Sequence, residues 1–136
     1  MEFDFVTENF DENDIFNMPS TTLAFIGDAF FSLYVKLKVL NKNAKSGKFH
    51  TLSTNFVKAS SQRGFLSKVL SHLTEREKDV VRRAKNTHTS SKSKNAGLSD
   101  YKNATAYEAL VGYLFLNKDP KRLQQILDIS FEEELW

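Results

Sequence analysis

Apolar residues recur along the chain at helical spacing, in blocks that short polar stretches separate. Residues 23–40 form a long, mostly apolar block, and residues 104–116 form an almost uncharged one. Residues 49–72 place large apolar side chains at roughly helical intervals. Thr74 is a good N-cap, and the two acids that follow it lie in the first turn, where the helix dipole favours acids. No block indicates a strand, so we predict an all-α fold. The predicted helices cover residues 12–18, 23–40, 49–72, 75–86 and 100–116, and a last one opens at Pro120.

The domain organisation follows from length and loop composition. The 136 residues fit one domain, and the sequence shows no internal repeat. We therefore predict a single domain over residues 1–136, with an N-terminal segment at 1–19. Residues 87–99 form a basic, Ser-rich loop that is long for a compact domain, and such loops are often functional.

The small net charge of +2 hides an asymmetry along the chain. Residues 1–35 contain seven acids and no Lys or Arg, whereas residues 36–103 contain sixteen Lys and Arg against four acids. The remainder contains six acids and three bases. The basic middle segment indicates a polyanionic partner such as nucleic acid, although the same lysines could merely solvate helix surfaces.

Several function classes are excluded by what the sequence lacks. There is no cysteine, so disulfides, thiolate metal sites and cysteine nucleophiles are ruled out. The three histidines lack metal-ligand spacing, and no Gly-rich phosphate-binding motif is present, so no nucleotide cofactor is expected. No apolar stretch reaches the ~18 uncharged residues of a membrane span. The acidic N-terminus differs from a signal peptide, and we expect a cytoplasmic location with no membrane partner.

Each of the two most apolar helices contains one isolated acid. Asp28 follows Gly27 in the first, and Glu108 precedes Gly112 by one turn in the second. A carboxylate is costly to bury unless it meets a cation, a metal or a ligand, and the glycine indicates close helix packing. If these helices cross, the two carboxylates could converge on a hard cation such as Mg²⁺. Alternatively, Asp28 could be satisfied by an Arg or by backbone amides, and Glu108 could lie on an exposed stripe.

The strings LAFIGDA with LYVK, and later ATAYEAL, resemble the two signature helices of the ribonuclease III superfamily. The length leaves no room for an appended double-stranded-RNA-binding domain, so the chain is most similar to the Mini-ribonuclease III subfamily, a catalytic domain alone. The resemblance runs from about Leu23 to Ile126. It also includes His50, Val57 to Gln62, Val80 to Asn86, Lys94–Asn95 and Tyr101–Lys102.

The resemblance implies a homodimeric, all-α ribonuclease III-type endonuclease domain that hydrolyses both strands of an RNA duplex with Mg²⁺, for which Mn²⁺ is a plausible substitute. It makes Asp28 and Glu108 the catalytic, metal-binding acids. Full-length relatives place two further acids where this chain has Ala24 and Thr105, and Mini-ribonuclease III also lacks them. Other departures are Ser32 in place of a usual Glu, Arg-Ala-Lys-Asn at residues 83–86 in place of Arg-Gly-Arg-Asn, and a loop without the usual Pro.

The predicted RNA-binding residues lie mostly in the basic middle segment. They are His50, Gln62, Arg82, Arg83, Lys85, Asn86, Lys92, Lys94, Asn95 and Lys102. The loop at 87–99 either inserts into an RNA groove or is a polar linker. The family suggests maturation of precursor large-subunit (23S) ribosomal RNA, although no residue specifies that transcript. We expect the dimer surface to be exposed and apolar, and its candidates are Phe30, Phe31, Tyr34 and the helix of Phe56. The rival interpretations are a non-catalytic RNA-binding module and a helical protein-interaction domain.

Overall fold

Helices account for nearly all of residues 10–40, 46–87 and 97–132, the ranges that the computed structural model describes. Within these ranges there is no strand, so the all-α prediction is confirmed. No described helix combines the length and the hydropathy of a membrane span. The helices are α1 (Glu12–Phe16), α2 (Ser20–Leu40), α3 (Ser46–Val57), α4 (Ala59–Val69), a 3-10 turn (Leu70–His72), α5 (Glu75–Lys85), α6 (Gly97–Leu116) and α7 (Pro120–Ser130).

Side chains that accept backbone N–H groups determine where three of the helices begin. Asp11 caps α1 through the Asp14 amide at 2.8 Å, and Asp119 caps α7 just before Pro120 at the first helical position. Thr74 caps α5 in a capping box with Glu77, which confirms the prediction of an N-cap at Thr74.

The predicted helix over residues 49–72 is wrong in one respect, because the structure divides it into α3 and α4. Lys58 between them has an extended backbone, with φ −67° and ψ 155°. The apolar spacing continues across this break, and so the sequence pattern could not reveal it. The other boundaries shift as well: α2 begins at Ser20, and α6 begins at Gly97, inside the predicted loop at 87–99. Residues 88–96 of that loop lie outside the described residues.

Helix α6 is the centre of the fold and packs against α2, α4, α5 and α7. The fully buried Tyr107 lies among aromatic rings, with its centroid 5.3 Å from Phe31 and 5.8 Å from Phe65. Its hydroxyl donates to Ser130 Oγ at 2.7 Å, which satisfies the buried phenol. Phe31 is therefore a core residue, and its inclusion among the exposed candidates for the dimer surface was wrong.

Two glycines let the backbones of α2 and α6 touch. A Cβ on Gly27 would lie 1.7 Å from the backbone oxygen of Glu108, and one on Gly112 would lie 2.0 Å from the backbone oxygen of Leu23. Both distances are far below van der Waals contact, so only glycine fits at either position. The close packing predicted at Gly112 is confirmed, and this crossing determines where the two isolated acids lie.

A buried ion pair joins the start of α5 to α7. Arg122 donates to both carboxylate oxygens of Glu77, at 2.7 and 2.9 Å, and to the backbone oxygen of His72 at 2.7 Å. Burial alone raises the pKa of Glu77, but the hydrogen bonds from Arg122 and Thr74 and the Arg122 charge outweigh it and lower the pKa below its ordinary value of 4.5. The ionised pair thus stabilises the folded state.

Substituting Arg122→Met should lower the free energy of unfolding at neutral pH by about 2 kcal/mol, because Glu77 is left buried without its cation. Since the folded-state pKa of Glu77 is depressed, this contribution is present above pH 4.5 and is lost as the pH falls through the lower folded-state value. The parent and the variant should therefore converge in acid, as measured by urea unfolding over a pH series.

The control for this prediction is Arg82→Met, which removes an exposed arginine paired with Asp79 one turn away on α5. An exposed pair of this kind contributes about 0–1 kcal/mol. Two results would contradict the stabilising role of the buried pair. One is a decrease in the free energy of unfolding in Arg122→Met that is no larger than in Arg82→Met. The other is a decrease that remains unchanged in acid.

Candidate active site

Asp28 and Glu108 meet where α2 and α6 cross. Gly27 of α2 lies against the backbone oxygen of Glu108 itself, and the side chain of the next residue, Asp28, is within hydrogen-bond reach of the Glu108 carboxyl group. Asp28 is exposed and Glu108 is half-buried. The structure shows that the two acids converge, which the sequence had left as one of several alternatives. The alternative of an exposed stripe for Glu108 is wrong.

Burial, a hydrogen bond that protonated Glu108 donates to Asp28, and the charge of Asp28 raise the pKa of Glu108 to about 8, in that order of importance, and a hydrogen bond from Gln62 partly offsets them. Two carboxylates this close repel each other when both are ionised. In the described part of the chain, neither acid pairs with a Lys or Arg side chain. A cation from outside the chain would therefore stabilise the pair.

The donor set suits a divalent cation with a strong preference for oxygen. Two carboxylates, one of them open to solvent, fit Mg²⁺, which retains several waters in its coordination shell. Across residues 10–40, 46–87 and 97–132, no group of three or more His, Asp or Glu side chains is placed to hold a metal. Water or a bound substrate would have to supply the remaining ligands.

Gln62 of α4 lies beside Glu108. Its side chain is 2% exposed, and its Nε2 donates to Val57 O at 2.9 Å and to Glu108 Oε2 at 3.3 Å. The sequence suggested Gln62 as an RNA contact, whereas the structure places it underneath the acid pair. That RNA contact stays a prediction. The link to Glu108 joins residues 46 positions apart, and nothing in the sequence signals it.

The basic residues of α5 are partly engaged within the chain. Arg83 Nη2 donates to Phe16 O at 2.6 Å, and its guanidinium lies 4.6 Å from the centre of the Phe16 ring. Arg82 is exposed and pairs with Asp79, which also lies 3.1 Å from Arg83 Nε. Of these two candidates for binding RNA, Arg82 is therefore the more accessible.

The remaining candidates are distributed over other surfaces. His50 on α3 and Lys102 on α6 are exposed, Lys85 is half-buried in the last turn of α5, and Asn86 is the exposed C-cap of that helix. The RNA contacts proposed for these residues stay predictions. Lys92, Lys94 and Asn95 lie outside the described residues.

The sequence placed candidates for the dimer surface on α2, but the most exposed apolar side chains of this helix are different ones. Phe25, Leu33, Leu37 and Leu40 are each more than half exposed, and they lie opposite the residues of α2 that pack on the core. The sequence did indicate such an apolar face, because a helix that is apolar on nearly every side is expected to pack against neighbours on more than one side. The sequence could not show which of its faces pointed inward.

The fold and the acid pair together define the class of protein. Residues 21–119 match the family model of the ribonuclease III domain, and the chain belongs to the ribonuclease III family. It is 34% identical over 127 residues to a Clostridium tetani protein named Mini-ribonuclease 3, which covers 92% of this chain and 84% of that relative. It is 39% identical over 124 residues to the Kosmotoga olearia protein of the same name, over 89% of this chain and 84% of the relative.

A solved structure shares the fold. The crystal structure of a Fusobacterium nucleatum protein superposes with a TM-score of 0.78 at 30% sequence identity, covering 90% of this chain and 98% of the other. The prediction of a ribonuclease III-type helical domain is thus confirmed.

Proposed function

We propose that this protein is a divalent-metal-dependent endoribonuclease that hydrolyses double-stranded RNA. The observation that carries the proposal is the meeting of Asp28 and Glu108 at the glycine crossing of α2 and α6, with no cationic partner among the described side chains. Membership of the ribonuclease III family and the relatives named Mini-ribonuclease 3 support it.

In this proposal Asp28 and Glu108 hold Mg²⁺, and Mn²⁺ can replace it. A divalent cation held by these two carboxylates would supply activation of a water for attack on the phosphodiester and stabilisation of charge on the departing oxygen. Asp28 is exposed and lies on the side from which a phosphate can approach, whereas Glu108 is anchored on the central helix of the fold. The glycine crossing fixes the backbones of both residues, so the acids are held in place before substrate arrives.

The direct test is incubation of a long, perfectly paired RNA duplex with the protein at low salt in Mg²⁺. We expect cleavage of both strands, its loss in EDTA, its recovery on adding Mn²⁺, and little cutting of either strand alone. Salt-sensitive duplex binding without cleavage under any divalent cation would contradict the proposal and favour a non-catalytic RNA-binding module.

We further propose that the exposed Arg82 and Lys102 and the half-buried Lys85 contact RNA phosphates, with His50 and Asn86 as further contacts. A-form RNA displays 2′-hydroxyls in a wide, shallow minor groove, so recognition would depend mainly on shape. Since Asp79 offsets part of the Arg82 charge, Arg82 would have to exchange this partner for a phosphate on binding.

We also propose that the exposed apolar face of α2 forms a homodimer. Contiguous exposed apolar surface on a globular protein usually marks an interaction site, and closed two-fold dimers are the commonest assembly of identical chains. Phe25, Leu33, Leu37 and Leu40 supply this face, and the half-buried Phe30 and Tyr34 lie on the same helix. A dimer built on α2 would bring two copies of Asp28 into one assembly, one for each strand of a duplex.

The double substitution of Leu33→Asp with Leu37→Asp should convert the protein from twice the mass of one 15.6 kDa chain to the mass of a single chain, as measured by sedimentation velocity. Two charges in the middle of an apolar contact would each be desolvated without a partner. Leu70→Asp, at an exposed apolar residue on the 3-10 turn, is the control and should stay dimeric. A double variant that remains dimeric would place the interface elsewhere.

The proposal also extends to the natural substrate and to the part of the chain that forms the catalytic domain. We propose that residues 1–136 act as one catalytic domain on precursor large-subunit (23S) ribosomal RNA, on the strength of the resemblance to Mini-ribonuclease III. Cleavage at one site of such a precursor, compared with scattered cleavage of an unrelated duplex of equal length, would support this substrate. Equal cutting of both RNAs would oppose it.

A further inference from the structure

Gln62 is a buried polar residue, and burying its amide is unfavourable unless the amide makes specific hydrogen bonds. The side chain is 2% exposed, and its Oε1 has no hydrogen-bond donor among the described residues. A buried acceptor without a donor costs folding free energy, and an apolar side chain of equal volume would avoid that cost. The contacts of Nε2 must therefore explain why an amide stands there.

The break between α3 and α4 creates the first of these contacts. In an uninterrupted helix, the Ser61 amide would bond to the Val57 carbonyl. Here Ser61 N bonds to Lys58 O at 3.1 Å instead, and the Val57 carbonyl receives Gln62 Nε2 at 2.9 Å. Because a carbonyl can only accept, this bond fixes which way the amide faces: Nε2 must point to Val57.

The second contact follows from the first. With one N–H held by Val57, the other N–H of Nε2 points to Glu108 Oε2 at 3.3 Å. Rotating the amide by half a turn would place Oε1 against the carbonyl and lose both bonds. The end of α3 thus holds Gln62, and Gln62 holds one oxygen of Glu108.

We propose that Gln62 is a positioning residue, which fixes Glu108 Oε2 and leaves the other carboxylate oxygen oriented for the cation shared with Asp28. This inference rests on the proposed function. A residue that orients a metal-binding carboxylate through a hydrogen bond typically affects metal affinity or activity by about 10–100-fold. Gln62 then acts through Glu108 and does not touch RNA.

The test compares Gln62→Met, which keeps the volume and removes the amide, with the parent and with Ser61→Ala. Ser61 is the matched control, because its hydroxyl also bonds across the α3–α4 break, to Asn55 O, but does not contact Glu108. Three quantities are measured: the rise in the thermal unfolding midpoint with Mg²⁺ in the absence of RNA, the Mg²⁺ dependence of the cleavage rate, and duplex affinity in EDTA.

We expect Gln62→Met to raise the half-saturating Mg²⁺ concentration about 10-fold or more in both metal titrations, with unchanged duplex affinity in EDTA. Ser61→Ala should match the parent. A purely structural role would lower the unfolding midpoint without moving the Mg²⁺ dependence, which would overturn the inference. Weaker duplex binding in EDTA with an unchanged Mg²⁺ dependence would also overturn it and support a direct RNA contact. If Gln62→Met does not fold, Gln62→Asn, which is too short to span Val57 and Glu108, serves in its place.

The outcomes also separate this inference from the proposed function. A parent protein that Mg²⁺ stabilises but that cuts no RNA would contradict the endoribonuclease proposal, while the thermal titration of Gln62→Met would still decide the role of Gln62. A parent whose stability and activity are both independent of divalent cations would overturn both proposals.

Discussion

Replacing Asp28 with Asn, or Glu108 with Gln, is expected to reduce the cleavage of an RNA duplex by about 10³-fold in saturating Mg²⁺, which corresponds to roughly 4 kcal/mol of transition-state stabilisation. The reason is that these two acids converge at the crossing of α2 and α6, and neither has a Lys or Arg partner among the described side chains. Each substitution keeps the shape of the side chain and removes one negative oxygen ligand. The loss is measured from single-turnover cleavage of an end-labelled duplex.

Both variants should remain folded, which separates this loss from unfolding. Burial and the neighbouring Asp28 raise the pKa of Glu108 to about 8, so without a metal Glu108 is largely protonated at neutral pH, and no ion pair at this site stabilises the fold. Neither substitution removes a salt bridge, and so the free energy of unfolding should change little. Duplex affinity in EDTA should also be retained, because removing a negative charge cannot weaken the attraction to phosphates.

The matched control is Asp128→Asn, which removes another exposed helical aspartate, on α7. Asp128 accepts a hydrogen bond from Gln124 and does not contact the acid pair, so cleavage should equal that of the parent. Cleavage that survives both active-site substitutions would show that the acids were wrongly assigned. A loss of cleavage in Asp128→Asn of the same size would show that the assay responds to net charge and not to the site.

Much of this site was predictable because its signal lies in local sequence. An isolated acid next to a glycine, in a helix that is otherwise apolar, indicates a close crossing and a charge that needs a partner. The pairs Gly27–Asp28 and Glu108–Gly112 both follow this pattern, and the structure brings them together. The class of fold was equally accessible, because every long block has helical spacing.

The rest depends on contacts between distant residues, which no local pattern encodes. The sequence offers Phe31 as a candidate for the dimer surface, and only its packing against Tyr107 shows that this side of α2 lies inside. The break at Lys58 leaves the apolar spacing intact. Gln62 meets Glu108 only because that break frees the Val57 carbonyl, and the position of Arg83 depends on the Phe16 carbonyl 67 residues away.

At the crossing of α2 and α6, Gly27→Ala is expected to have the largest effect on stability. The added Cβ would lie 1.7 Å from the Glu108 backbone oxygen, and backbone atoms cannot move aside as a rotamer can. Overpacking of a core typically costs 1–3 kcal/mol, occasionally more. We expect a loss in the free energy of unfolding of about 3 kcal/mol or more, which exceeds the 0.5–1 kcal/mol that alanine gains over glycine in a helix. Urea unfolding at neutral pH measures the difference.

Gly64→Ala is the control that makes this prediction specific. Gly64 is also inside a helix, but it is exposed, and a Cβ built there has no heavy atom within 4 Å. Alanine should therefore stabilise the protein at this position by about 0.5–1 kcal/mol, through helix propensity alone. Opposite signs at Gly27 and Gly64 would demonstrate that α2 and α6 touch through their backbones in solution. A neutral or stabilising Gly27→Ala would mean that the helices cross further apart, so that Asp28 and Glu108 could no longer be held together by this contact.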